Sequence, residues 1–273
     1  MKKSKFKVAC LQMTSGMDID QNLSTLYKKM KKAKAHGADL IITPEQTLLM
    51  AKNKTQLFNQ ISIEKNDFGL SKIKEIVREL KVYTIIGSIS IQYDNEFALN
   101  RSYAFDCEGK VISFYDKIHM FDIKINANEK YFESRTFKPG KLLSVVDLPW
   151  GICGLTICYD LRFPNMYRKL AQKGAKFITV PSAFTVKTGH SHWHTLLKAR
   201  AIETGCFIFA PAQIGIHENG RKTYGHSLII SPWGDIISEA EDNDDMVIAE
   251  CDVDEVELIR KKIPSINQNY DYL

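Results

Sequence analysis

Two stretches of this chain repeat one another in outline, and they limit its fold more than any other feature. Gly37-Ala38-Asp39-Leu40-Ile41-Ile42-Thr43-Pro44 matches Gly174-Ala175-Lys176-Phe177-Ile178-Thr179-Val180-Pro181 in the spacing of its Gly-Ala pair, apolar run and proline. Each copy follows a helix-like segment and carries a strand-like run that ends at a proline, which cannot extend a sheet ladder. Two halves built this way bring their strand ends to a common centre; independent origin of two helix-Gly-strand-Pro units is the competing reading. Helix-like and strand-like segments alternate through most of the chain, so the expected fold is α/β, a four-layer α-β-β-α sandwich of two mixed sheets with outer helices.

The pattern predicts particular elements. Residues 7–13 read as a strand, and Asp20 as the cap of a helix carrying Leu23, Tyr27 and Met30 at helical spacing. Leu70, Ile73, Val77 and Leu80 mark a second helix before a strand at 82–89. Two short strand-like runs flank Cys107-Glu108-Gly109-Lys110, a hairpin signal. No linker or low-complexity segment interrupts the 273 residues, so a single domain, 1–273, is expected.

The formal net charge of +5 is concentrated in Lys2, Lys3, Lys5, Lys7 and the stretch 28–34, without interleaved aromatics or a nucleic-acid motif. No nucleic-acid partner is expected. The apolar run Val8-Ala9-Cys10-Leu11 is too short for a signal-peptide core or a membrane span, so no membrane role is expected either. Six cysteines, at 10, 107, 153, 158, 206 and 251, include no Cys-x-x-Cys pair, which points to reduced thiols and a cytoplasmic location.

Three positions carry chemistry. Cys158 ends a strand-forming run in Gly154-Leu155-Thr156-Ile157-Cys158-Tyr159-Asp160-Leu161-Arg162-Phe163-Pro164, where a sharp turn would expose a nucleophile and free backbone N–H groups for an oxyanion; a buried core thiol is the alternative. Cys153, five residues upstream, is expected on the opposite strand face, in the core. A thiol needs a base, and Glu45, directly after Pro44, is expected to have its basicity raised by partial desolvation. Lys117, in Tyr115-Asp116-Lys117-Ile118-His119, could hold an oxyanion. Read singly, Glu45 could equally be a solvated loop acid and Lys117 a surface charge.

Taken together, Thr-Pro-Glu at Glu45, Tyr-Asp-Lys-Ile-His at Lys117 and Ile-Cys-Tyr-Asp-Leu-Arg-Phe-Pro at Cys158 resemble the Glu-Lys-Cys triad of the nitrilase, or carbon-nitrogen hydrolase, superfamily. Pro181-Ser182-Ala183-Phe184, His192-Trp193, Lys198-Ala199-Arg200-Ala201-Ile202-Glu203-Thr204, Ala212-Gln213, Tyr224-Gly225-His226-Ser227 and Pro232-Trp233-Gly234 extend the likeness to its Nit-type amidases. The resemblance implies amide hydrolysis through a Cys158 thioester, with Glu45 as general base and acid. Lys117 and the Tyr159 backbone N–H would hold the oxyanion, and Glu133 would be a supporting second glutamate. It implies no metal or organic cofactor, and a homodimer towards whose second copy the tail, about 263–273 with Ile263, Tyr270 and Tyr272, would reach. The substrate implied is a small carboxylate-bearing amide such as deaminated glutathione, with α-ketoglutaramate or α-ketosuccinamate, a nitrile or an N-carbamoyl compound as alternatives.

Arg162 is the expected cation for a substrate carboxylate, or else a structural ion-pair partner. Ser182 and Thr185 would add hydroxyl donors, Lys187 a further charge, and Trp193 a pocket wall. Two other classes compete. His190, His192 and His194 could ligate zinc in a metal hydrolase, although the segment reads as helix and lacks a carboxylate set. A non-catalytic binding protein could share the fold, although the triad is intact.

Overall fold

The computed structural model describes residues 4–124, 130–242 and 245–268; Lys2, Lys3, Tyr270 and Tyr272 lie outside them. The first half runs β1 (Lys5–Leu11), α1 (Ile19–Ala35), β2 (Leu40–Ile42), α2 (Lys54–Phe58), α3 (Phe68–Leu80), β3 (Tyr83–Gln92), β4 (Ala98–Phe105), β5 (Val111–Asp116), β6 (Asp122–Lys124) and β7 (Lys130–Phe132). The second runs β8 (Ser144–Leu148), β9 (Gly151–Leu155), α4 (Pro164–Gln172), β10 (Ala175–Thr179), α5 (Val186–Thr204), β11 (Phe207–Ala210), β12 (Ile214–Ile216), β13 (Lys222–Tyr224), β14 (Leu228–Ile230), β15 (Ile236–Glu239), β16 (Met246–Asp252) and α6 (Asp254–Lys262).

Two six-stranded mixed sheets result, in the orders β16-β1-β2-β3-β4-β5 and β15-β14-β11-β10-β9-β8. The expected sandwich is what forms, and β1 shows why. Phe6, Val8 and Cys10 point between the sheets, towards Leu155, Phe177 and Phe209, while Ala9 and Leu11 point outward to Leu26 and Met30 of α1 and Val77 of α3. Both faces of the strand are buried, so its residues are apolar without a polar alternation. Phe6 stacks on Trp150 at 4.6 Å and tilts against Phe177 at 5.4 Å, tying one sheet to the other. Helices α4 and α5 cover the second sheet.

Some boundaries differ from expectation for local reasons. β1 begins at Lys5 because it pairs antiparallel with β16 from Lys5 opposite Asp252 onward. Met13 has left the strand and bridges Gln213. Helix α1 is capped by Asp18, whose extended backbone lets its carboxylate accept from Gln21 N at 2.9 Å, and Asp20 lies in the first turn. The hairpin between β4 and β5 is antiparallel, as its turn residues predicted.

The two echoed strand ends do converge. They meet at Gly87, inside an irregular stretch of β3. A Cβ there would stand 2.0 Å from the Thr43 carbonyl oxygen, 2.5 Å from that of Pro44 and 2.4 Å from Pro181 Cβ. Only glycine lets both proline-ended strands reach the same point. Among the described residues no helix is long and apolar enough to cross a membrane.

Candidate active site

The thiol of Cys158 is set by a strained turn. β9 ends at Leu155, and Cys158 opens a short 3-10 turn, Cys158–Arg162, with φ of 49°, a left-handed conformation that costs a side-chain-bearing residue roughly 1–2 kcal/mol. Its N–H donates to the Pro181 carbonyl at 2.9 Å. Asp160, fully buried two residues on, holds the turn: its carboxylate accepts from Ile157 N at 2.9 Å and Tyr115 Oη at 2.7 Å, and pairs with His119 Nδ1 at 2.7 Å. Because Cys158 lies beyond the strand, strand alternation does not relate it to Cys153. Cys153 is fully buried in the core, as expected.

Glu45 follows the other proline, and Gln46 after it is also left-handed, with φ of 55°. Gln213 Nε2 donates to the Glu45 carbonyl at 3.0 Å, and Ala183 N to its Oε2 at 2.9 Å, so the second half of the chain orients the first half's carboxylate. Lys117, the residue after β5, is 2% exposed. Its Nζ donates to Glu45 Oε1 at 2.8 Å and to Glu133 at 3.0 and 2.8 Å. Phe121 N also holds Glu133, at 2.7 Å. Asn100 Nδ2 spans the two carboxylates, donating to Glu45 Oε1 at 2.9 Å and Glu133 Oε1 at 3.1 Å. Glu45, Lys117 and Glu133 line a cavity of about 190 Å³ with Cys158, Gln46, Phe121, Tyr131, Thr136, Phe137 and Arg221.

Charge within this cavity is coupled. Burial pushes the Glu45 carboxyl up, but the Lys117 ammonium, with help from the Arg221 charge and the Cys158 hydrogen bond, outweighs it and leaves Glu45 below its ordinary range. The expectation of raised basicity is therefore corrected: desolvation acts, but an adjacent buried cation overrides it. Burial, then the Glu45 charge, hold the Cys158 thiol well above its ordinary range. Burial lowers Lys117, yet Glu133 and Glu45 more than compensate and keep it protonated. The resting cavity thus holds a neutral thiol hydrogen-bonded to a carboxylate, beside a fixed ammonium. Such a set can deliver a thiolate only as its proton moves to Glu45 during attack, with Lys117 facing the charge that develops.

Several expected pocket groups lie elsewhere. Ser182 is buried and its hydroxyl donates to the Val180 carbonyl, at 3.1 Å. Thr185 caps α5, accepting from Thr188 N. Trp193 is fully buried against Phe184, and its Nε1 donates to the His226 carbonyl at 2.8 Å. All three expectations are corrected, because proline-ended strands and helix starts have backbone groups of their own to satisfy. Tyr159 backs the cavity wall, edge-on to Phe121 at 5.2 Å. Arg162 is not among the residues that line the cavity: its Nη2 is 3.3 Å from His192 Nδ1 and its guanidinium lies over Phe184 and Tyr159. Conversely, Asn100 and Arg221 carry no motif of their own, and sequence reasoning missed both. The one available signal for Asn100 was the polar run Asn100-Arg101-Ser102 in the middle of a strand.

The three histidines of the competing zinc reading do not converge. They lie on α5, where His192 turns to Arg162, while His190 and His194 face Tyr224. A different set could hold a metal ion: His194 Nε2 and His226 Nδ1 both lie on Glu239 Oε1, at 2.8 and 2.9 Å.

Comparison with known proteins agrees with this geometry. A family model described as carbon-nitrogen hydrolase matches residues 7–261. A deaminated glutathione amidase of Yersinia enterocolitica is 37% identical over 266 residues, covering 96% of this chain and 92% of that protein. The C. elegans NitFhit structure superposes with a TM-score of 0.90 at 31% identity, over 98% of this chain and 66% of that one. Saccharomyces cerevisiae Nit3, of branch 10 of the nitrilase superfamily, gives 0.85 at 27% identity, over 96% and 95%.

Proposed function

This chain belongs to the carbon-nitrogen hydrolase family, and from that premise we propose that it hydrolyses deaminated glutathione through a thioester on Cys158. The observation that carries the chemistry is the Lys117 ammonium, fixed between Glu45 and Glu133 in the cavity that holds the thiol. The likeness to deaminated glutathione amidases supports the substrate.

As Cys158 Sγ attacks the amide carbonyl, its proton passes to Glu45 and the carbonyl oxygen takes up charge near Lys117 Nζ. Collapse of the tetrahedral adduct expels the amine, a dipeptide, which receives the proton back from Glu45. Glu45 then takes a proton from water as the water attacks the thioester, and the acid product leaves with the thiol restored. Glu133 and Asn100 keep Lys117 and Glu45 in register throughout. Neither a metal nor an organic cofactor enters these steps.

The same reading includes a homodimer and a cytoplasmic location. Ile202 on α5 and Trp233, 57% and 54% exposed, are brought near one another by Gly234, which sits against Ile202, and offer apolar surface for an isologous contact. Six free cysteines fit a reducing compartment. Turnover of deaminated glutathione, α-ketoglutaramate, an aliphatic nitrile and an N-carbamoyl amino acid, each with wild type and Cys158→Ala, tests the function. Deaminated glutathione should have the highest kcat/KM and the variant should be inactive on it. Faster turnover of α-ketoglutaramate would refute the substrate, and an active Cys158→Ala would refute the nucleophile.

A further inference from the structure

The catalytic cavity contains two cations, and they are not equivalent. Lys117 is consumed by Glu45 and Glu133. Arg221 forms no ion pair among the described residues: Nη2 donates to the Ala183 carbonyl at 2.6 Å, and Nε is buried with no hydrogen-bond acceptor. A guanidinium left so incompletely partnered in a cavity is costly unless an acceptor arrives. It is also held in place, over the Tyr131 ring at 5.7 Å, where the catalytic cavity meets a second cleft that runs past Met50 and Lys54.

We propose that Arg221 is the specificity-determining residue that receives a carboxylate carried on the acyl half of the substrate, a role the sequence had pointed to Arg162 for. The acyl half is the part that stays in the cavity as the thioester, and Arg221 lines that cavity whereas Arg162 does not. Its planar fork suits a carboxylate, which can take two parallel hydrogen bonds. The inference rests on the reading of the cavity as a thiol-dependent amide hydrolase. A rival within the same geometry makes Arg221 a positioning residue, acting through Ala183, whose N–H in turn holds Glu45.

Protection of Cys158 separates these readings without depending on the true substrate. Alkylation of Cys158 by iodoacetamide, followed by mass spectrometry, is measured against increasing glutarate, with 1,5-pentanediol as the uncharged control. Glutarate should protect wild type and the diol should not. Arg221→Gln should raise the half-protecting glutarate concentration at least about tenfold, the loss expected for a charge-assisted pair, while Arg162→Gln should leave it within about twofold. If Arg221→Gln folds poorly, Arg221→Lys reads the same shift at about threefold, since it keeps the charge and loses the fork. An unchanged half-protecting concentration in Arg221→Gln, including one with only a changed rate in the absence of glutarate, would overturn the proposal, as would a loss confined to Arg162→Gln. Glutarate protection that needs Arg221, in an enzyme that fails to turn over deaminated glutathione, would refute the proposed substrate and leave this inference standing.

Discussion

At the scale of single residues, the site depends on one buried ammonium that serves two carboxylates. Lys117→Met should lower turnover about a hundredfold or more by analogy with the loss of other oxyanion donors, whereas a surface lysine would be silent. It should also cost stability, on the order of 3–5 kcal/mol, because Glu45 and Glu133 would be left buried and facing each other. That cost has a pH sign. Without Lys117, the largest influence left on Glu45 is burial, which raises its pKa, so melting curves of variant and wild type should draw together as pH falls and one carboxyl takes a proton. In the intact enzyme Glu45 is depressed and is lost as a base only when pH falls through its folded pKa, so the acid limb of kcat/KM should lie below the ordinary carboxylate value of about 4.3. Cys158 is raised, so its alkylation rate should show no midpoint at the ordinary thiol value of about 8.5 and should still be climbing above it. A midpoint at that value would mean that the thiol titrates freely of Glu45.

At the scale of elements, each side chain of the proposed triad stands just past a strand. Glu45 follows β2 by way of Pro44, Lys117 follows β5, and Cys158 follows β9. This was legible because strand periodicity and proline are local signals, carried by neighbours in the chain. What was not legible is how the turns are held. Asp160 satisfies the backbone of Ile157 and, across the chain, Tyr115 and His119, and no spacing rule pairs residues so far apart. Asp160→Asn would replace one acceptor oxygen with a donor among these donors; activity should fall at least tenfold while the measured affinity for glutarate changes little, if the damage is to the nucleophile turn alone. Gly87→Ala tests the convergence of the two echoed strands. With backbone oxygen 2.0 Å from the new methyl position, it should destabilise by about 3 kcal/mol or more in urea unfolding. A loss under 1 kcal/mol would show that the strand ends can part cheaply.

At the scale of the whole molecule, the two halves each supply what the other lacks. Glu45 and Lys117 come from the first sheet, Cys158 and the Ala183 N–H from the second, and Gln213 braces Glu45 from beyond β11. Opening the sandwich therefore dismantles the site. The exposed Ile202 and Trp233 patch should place a second copy on α5, and sedimentation at micromolar concentration should give twice the chain mass; Trp233→Glu, a charge in the middle of that patch, should shift it towards the monomer. A wild-type chain that sediments only as a monomer would count against this interface.

Local signals in the sequence were enough for the layered α/β fold and the strand-end positions of Glu45, Lys117 and Cys158, because periodicity, proline and residue type act over a few neighbours. Which groups share the cavity was decided by the tertiary structure alone. Ser182, Thr185 and Trp193 stand close to the site in the chain, yet spend their polar groups on nearby backbone. Asn100 and Arg221 reach it from distant segments. The affinity of Glu45 for its proton followed the same division: desolvation could be read from an apolar strand end, but the opposing field of Lys117 exists only once residues 72 positions apart in the chain are folded together.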